Sequence, residues 1–302
     1  MPSFRAAPVR VRVPATSANL GPGFDTAGLA LGLYDDVVVR IADSGLAVDV
    51  AGEGADDLPR DKRHLVVKAL RATFDALGGQ PRGLEIVCAN RIPQSRGLGS
   101  SSAAICAAVV AARALVLGGE ETLSEDAALD LATRIEGHPD NVAACLRGGL
   151  TFAWMVDGSA RVARVDVHPD VAPVAFVPSS RASTKKVRGM LPESVPHADA
   201  AANSARTALM ALALTRDPSL LMDATEDFLH QAYRAPAMPR SAALVKQLRA
   251  DGVPAVVSGA GPTVLALATK ATVDEVAARH PRAWEVLPLP VDTAGAQVLP
   301  LG

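Results

Sequence analysis

The run Pro93-Gln94-Ser95-Arg96-Gly97-Leu98-Gly99-Ser100-Ser101-Ser102-Ala103 decides how this chain is read. It predicts a glycine-bent loop feeding directly into a helix. Residues 104–117 are apolar apart from Arg113, and Gly118-Gly119 is the expected stop. A helix start presents N–H groups without partners and the positive end of the macrodipole. Gly97 and Gly99 let the backbone approach a ligand closely, and three serines add hydroxyls at the first turn. Such a place holds a phosphate. No Gly-Lys-Ser/Thr follows the glycines, so the loop is not a Walker A sequence. A nucleotide bound here belongs to another kinase lineage.

The rest of the chain narrows the context. Its 302 residues suffice for two domains and a sizeable core. The formal net charge is -2 and aromatics are only 3%, which argues against nucleic acid or an anionic membrane as a partner. Cys88, Cys106 and Cys145 form no C-x-x-C pair and sit in apolar surroundings, as buried thiols in a reducing compartment do. The first ten residues hold no apolar signal core, and no uncharged apolar run reaches about 18 residues. The expected location is cytoplasmic.

Periodicity gives the organisation. Val9, Val11 and Val13 alternate with arginines as a strand expected to end at Pro14. A polar, glycine-rich loop is expected over residues 15–25. Strands are expected at 37–41, 46–50 and 84–88, with a helix at 64–77. Thr122-Leu123-Ser124-Glu125 resembles a capping box before a helix running to about Ile135. Residues 136–141 break that helix, and a strand follows at 151–155. The hairpin-like stretch 156–170 marks the expected boundary between domains 1–165 and 166–302. Beyond it, strands are expected at 174–177, 255–258 and 264–268. Helices are expected at 198–214, 219–233, 241–250 and 272–279. This mixture predicts an α+β fold.

Three glycine-rich motifs stand in order: Pro14-Ala-Thr-Ser-Ala-Asn-Leu-Gly-Pro-Gly-Phe-Asp25, the serine-rich run itself, and Val257-Ser-Gly-Ala-Gly-Pro-Thr-Val264. Between and after them come Glu136-Gly-His-Pro-Asp-Asn141, Ser183-Thr-Lys-Lys-Val-Arg188 and His230-Gln-Ala-Tyr-Arg234. The set resembles the GHMP small-molecule kinases, named for galactokinase, homoserine kinase, mevalonate kinase and phosphomevalonate kinase. Within that family it resembles the homoserine branch, over roughly residues 8–270. The resemblance implies an N-terminal domain like the second domain of ribosomal protein S5, followed by a ferredoxin-like C-terminal domain with the site between them. It implies ATP- and Mg²⁺-dependent phosphorylation of the L-homoserine hydroxyl to O-phospho-L-homoserine, on the way to threonine, by a homodimer. A GHMP kinase for another small alcohol and a catalytically silent GHMP-fold binding protein are the alternatives.

The resemblance also assigns residues. Pro93, Ser95, Arg96, Gly97, Leu98, Gly99, Ser100, Ser101, Ser102 and Ala103 wrap the nucleotide. Ser100, with Ser101 close behind, and Glu136 hold Mg²⁺, an ion that takes one or two carboxylates and completes its shell with phosphates and water. Arg234 meets the substrate carboxylate, for which an arginine fork is the matching shape. Arg188 and Thr184 complete the pocket near the substrate and the transferred phosphate. Asn19 and Asp25 suit an ammonium, and His138 and Asp140 add hydrogen bonds. Gly259 and Gly261 of the third motif buttress the pocket. Arg188, Asp140 and Asn141 are the candidates for the catalytic centre. Mevalonate and galactose kinases carry an aspartate base paired with a lysine near the first motif. Here the matching position is Asn141, which is no base at neutral pH, and the first motif holds no lysine. The expectation is that no strong general base operates and that the hydroxyl proton passes to phosphate or solvent.

Overall fold

Two antiparallel hairpins and a parallel crossover build the first sheet. In the computed structural model, which describes residues 2–181 and 187–301, strand β1 (Val9–Ala18) pairs antiparallel with β2 (Ala27–Ala42). Val9, Val11 and Val13 point inward, as their alternation predicts. The strand does not end at Pro14. It continues to Ala18 after a register shift between Pro14 and Ala15. A bulge absorbs the missing N–H of a proline, so half of the first motif is strand rather than loop.

Strand β3 (Gly45–Gly52) runs parallel to β4 (Gly83–Asn90), and helix α1 (Leu65–Ala76) makes the crossover that a parallel pair requires. β4 pairs with the second half of β2, while β5 (Leu150–Val156) pairs with its first residues and with β6 (Ser159–Val165). Helices α2 (Ser100–Leu115) and α4 (Asp140–Arg147) lie against β1 and β2, and α3 (Glu125–Glu136) packs on both helices. Ten residues of α2 are buried, which its nearly uniform apolar composition demands. It stops at Leu115, before the expected glycine pair, because Val116 turns extended and bridges Phe4. The next cap is Ser124, whose hydroxyl accepts the Ala127 N–H. Thr122 is not the cap.

The second sheet follows a β-α-β-β-α-β course. Strands β7 (Val171–Pro178), β8 (Ala255–Val257), β9 (Val264–Thr269) and β10 (Trp284–Pro288) lie in the order β10-β7-β9-β8, every pair antiparallel. Helices α5 (His197–Thr215), α6 (Gln231–Arg234) and α7 (Pro239–Ala250) separate β7 from β8, and α8 (Val273–Ala277) separates β9 from β10. Residues 219–233 are not one helix. The Asp227 carboxylate takes the N–H groups of Leu229, His230 and Gln231, and this restarts the chain as α6.

The end of the chain returns to the first sheet, which the sequence reading did not anticipate. Strand β11 (Gln297–Leu299) pairs with β1, and Val291 bridges Leu31. Asp292 fixes this return by accepting from the Tyr34 hydroxyl and the N–H groups of Ala294 and Gly295. All three cysteines are buried, as expected. Among the described residues, no helix is long and apolar enough to cross a membrane.

Candidate active site

The serine loop starts α2 without a side-chain cap. Gly99 is the N-cap at φ 72°, and Gly97 before it is at φ 82°. Both conformations belong to glycine, and both are fixed by close approach as well. A Cβ on Gly99 would strike Thr16 Oγ1, and one on Gly97 would strike the Ser258 carbonyl. The serines therefore do not cap the helix. Their N–H groups stay available at the first turn, and the hydroxyls of Ser101 and Ser102 turn to Glu136. Ser101 Oγ donates to Glu136 Oε2 at 2.7 Å and Ser102 Oγ to Oε1 at 2.9 Å. Ser100, preferred on sequence, lines the cavity, but its hydroxyl is not among these two contacts.

A cavity of about 340 Å³ opens in front of this helix start. It gathers Asn19, Asp25, Glu136, His138, Asp140, Asn141, Arg188, Arg234 and Gly259 with Ser95, Gly97, Gly99, Ser100, Ser101 and Ala103 of the loop. Pro93, Arg96, Leu98 and Ser102 stand behind its wall. Arg96 reaches Glu53 and the Ser179 carbonyl, and Leu98 is core whose carbonyl accepts the Thr16 N–H. Gly261 also lies behind, packed near Met238 and Val257. Thr184 lies outside the described residues.

Two arginines dominate the acceptor end. Arg188 donates both Nη1 and Nη2 to the Asp25 carboxylate, each at 2.7 Å. Arg234 is 3% exposed, and among the described residues it has no carboxylate within ion-pair distance. Its Nε finds no partner there either. Burial and the neighbouring Arg188 cation press its pKa below the usual arginine value. A guanidinium stays charged in a protein, so this site calls for an anion. Asn19 serves as a fastener: its Oδ1 accepts the Asp25 N–H and its Nδ2 donates to the Gly259 carbonyl. That bond joins the first motif to the third.

Two of the catalytic candidates, Asp140 and Asn141, share a helix start. Asp140 Oδ1 accepts the Asn141 N–H at 2.7 Å and lies 2.6 Å from His138 Nδ1. Burial opposes charge on the His138 ring, but the hydrogen bond to Asp140 and the carboxylates of Asp140 and Glu136 outweigh it. The His138 pKa is raised. Asn141 Oδ1 accepts from Thr16 Oγ1 at 2.8 Å.

Sequence reasoning missed several residues. Ser258 ties the three motifs together: its Oγ lies 2.5 Å from the Gly97 carbonyl, to which it donates, and 2.8 Å from Ser17 Oγ. The cavity is also lined by Val37, Leu58, His64, Leu65, Val66 and Asn90, a mostly apolar set. There His64 caps α1 through Nδ1, while its buried Nε2 has no partner among the described residues. Burial lowers its pKa. Asp35 lines the same cavity, its carboxyl pushed up to about 6 by burial although it accepts the N–H groups of Arg91 and Ile92. His64 could have been noticed as a polar residue opening an apolar helix; Asp35 carried no local signal.

Comparison with known proteins places this geometry. Residues 64–149 match the family model of the GHMP kinases N terminal domain, and residues 209–286 that of the GHMP kinases C terminal. The chain belongs to the GHMP kinases. Its two sheets are the two domains of that fold. The protein named homoserine kinase in Streptomyces avermitilis is 66% identical over 300 residues, 99% of this chain and 98% of that one. Its counterpart in Streptomyces coelicolor is also 66% identical, over 99% of this chain and 97% of that one. The solved structure of homoserine kinase from Cytophaga hutchinsonii superposes with a TM-score of 0.84 at 25% identity, covering 99% of each chain.

Proposed function

We propose that the chain transfers the γ-phosphoryl group of ATP to the hydroxyl of L-homoserine, giving O-phospho-L-homoserine for threonine biosynthesis. The observation that carries this reading is the union of two unlike ends in one cavity. One end offers N–H groups and serines beside a carboxylate. The other offers two arginines and Asp25. The relatives of the same length, at 66% identity, carry the matching name.

Phosphoryl transfer is mostly positioning and charge neutralisation. The N–H groups at the start of α2, with Gly97 and Gly99, receive the ATP phosphates. The base lies in the apolar end near His64 and Leu65. Mg²⁺ fits the donor set of a single carboxylate, Glu136, with Ser100 or Ser101 hydroxyls, and would supply charge neutralisation on the phosphates. Arg234 receives the α-carboxylate of homoserine. Asp25 lies in reach of the ammonium, and His138 and Asp140 add hydrogen bonds. Arg188, held by Asp25, brings positive charge to the transferred group. Asn141 is held by Thr16 and cannot take a proton. Asp140 already accepts at Oδ1 from the Asn141 N–H beside His138. Among the described residues no side chain acts as a strong base, and the hydroxyl proton leaves to a phosphate oxygen as the leaving group departs. The reading includes domains 1–165 and 166–302 as the two walls, with residues 291–299 of the second returning to the sheet of the first, a cytoplasmic location and a homodimer, which light scattering would register at twice the chain mass.

The test is ATP turnover with Mg²⁺ against a panel of alcohols. L-Homoserine should react, and mevalonate and galactose should not. A better rate with another alcohol would replace the acceptor, and no turnover with any would leave a binding protein.

A further inference from the structure

His230 stands at the start of α6, four residues before Arg234, and is 1% exposed. Its two ring nitrogens face opposite kinds of partner. Nε2 lies 2.8 Å from the Gly21 carbonyl oxygen, which only accepts, so Nε2 carries the proton. Nδ1 lies 3.2 Å from Arg234 Nη1, which only donates, so Nδ1 is bare. The two contacts fix one neutral tautomer. The ring stacks on Phe24 at 5.1 Å between centroids, and the Arg234 guanidinium lies 5.1 Å from the centroid of that same phenyl ring. Phe24 belongs to the first motif, so His230 holds Gly21, Phe24 and Arg234 in one arrangement.

A histidine serving only as core filler has no need to turn its bare nitrogen to a cation. Asp227, 3.6 Å from Nε2, does not displace the Gly21 carbonyl as the partner of that nitrogen, because its carboxylate already takes three backbone N–H groups. With Nη1 engaged by His230 and Nε buried, Nη2 is the nitrogen of Arg234 that has no partner among the described residues and is not sealed off. A hydrogen bond from a guanidinium to a carboxylate is of the strong, charge-assisted kind.

We propose that His230 is a positioning residue for the acceptor: its bare Nδ1 holds the Arg234 guanidinium so that Nη2 meets the substrate carboxylate. The inference rests on the reading that Arg234 binds that carboxylate. The contact acts on the amino-acid end alone. Arg188, which also lies over the Phe24 ring, keeps its own anchor in Asp25, and the nucleotide end is not touched.

The experiment uses the full chain with two acceptors, L-homoserine and 3-aminopropan-1-ol, which is homoserine without its carboxylate. kcat and KM are measured for wild type, His230→Ala, His230→Asn and Arg234→Ala. Losing a hydrogen bond to a charged group predicts that His230→Ala raises the homoserine KM about tenfold or more. kcat, the ATP KM and all constants with 3-aminopropan-1-ol stay within about twofold of wild type on the same reasoning. His230→Asn, whose Oδ1 can accept where Nδ1 does, restores most of the loss. If the alanine variant does not fold, His230→Gln takes its place, since its amide reaches the Nε2 position and leaves Arg234 unheld. An unchanged homoserine KM, or an equal loss with both acceptors, overturns the inference. Arg234→Ala separates the two readings. If it penalises both acceptors alike, the carboxylate assignment itself fails. If it is selective for homoserine and the His230 variants are not, only the role of His230 fails.

Discussion

Asp25 and Arg188, 163 positions apart in sequence, meet through two parallel hydrogen bonds of 2.7 Å each. The pair joins the first glycine-rich loop to the segment that follows β7. Both side chains are more than a third exposed, so water screens the attraction and the pair adds little to stability. Its value lies in aim. Arg188→Ala should lower kcat roughly 100-fold or more, the range for losing one preorganised charge donor. The melting temperature should move by no more than a few degrees. Arg188→Lys should recover little, because an ammonium lacks the two-pronged geometry. Steady-state kinetics beside calorimetry checks both halves.

Gly99 has no room for a side chain and a backbone that favours none. Gly99→Ala should lose at least 1 kcal/mol to the left-handed backbone alone, plus the cost of displacing Thr16. The loss of ATP affinity should exceed the loss of stability, since the loop that presents the N–H groups must shift. Adding Thr16→Ala should return part of the lost stability, because the blocking oxygen is gone. Denaturation midpoints and ATP titrations of the single and double variants measure this.

Asp35 sets a pH dependence of unusual sign. The unfolded chain releases this proton near the ordinary value of 3.8, whereas the folded protein holds it until about 6. Between those values the folded state binds more protons, so this group makes stability fall as pH rises. Two pH units correspond to about 3 kcal/mol. Asp35→Asn should remove that slope. Urea midpoints of wild type and variant between pH 4 and 7 should diverge in favour of the variant as pH increases. A variant that tracks wild type at every pH contradicts the account.

Asp140→Asn tests the absence of a base. The account expects most of kcat to survive, with some weakening of acceptor binding through His138. Loss of several orders of magnitude in kcat, with folding and nucleotide binding intact, would mean that Asp140 takes the proton.

The cavity was legible in the sequence where chemistry was packed into short motifs. The serine run, Glu136, Arg188 and Arg234 announced themselves through neighbours one to six residues away, and the structure brings them to one space. Residues joined only by folding were silent. Ser258 matters because Ser17 and Gly97 come to it across the domains. His64 and Asp35 matter because folding brings them to the wall of one cavity with residues far off in sequence. Local rules also misled in specific ways. Pro14 looked like a strand end, but a bulge accommodates it. Residues 219–233 had helical composition, but Asp227 offered their backbone a better partner. β11 has only three residues, too few for alternation to show.

The most direct measurement is the ratio of kcat/KM for L-homoserine to that for 3-aminopropan-1-ol, in wild type and in Arg234→Ala. A buried charge stripped of its partner costs about 2–5 kcal/mol, so wild type should prefer homoserine roughly 30-fold or more. In Arg234→Ala the ratio should fall close to one. A wild-type preference that survives the loss of Arg234 would contradict the account.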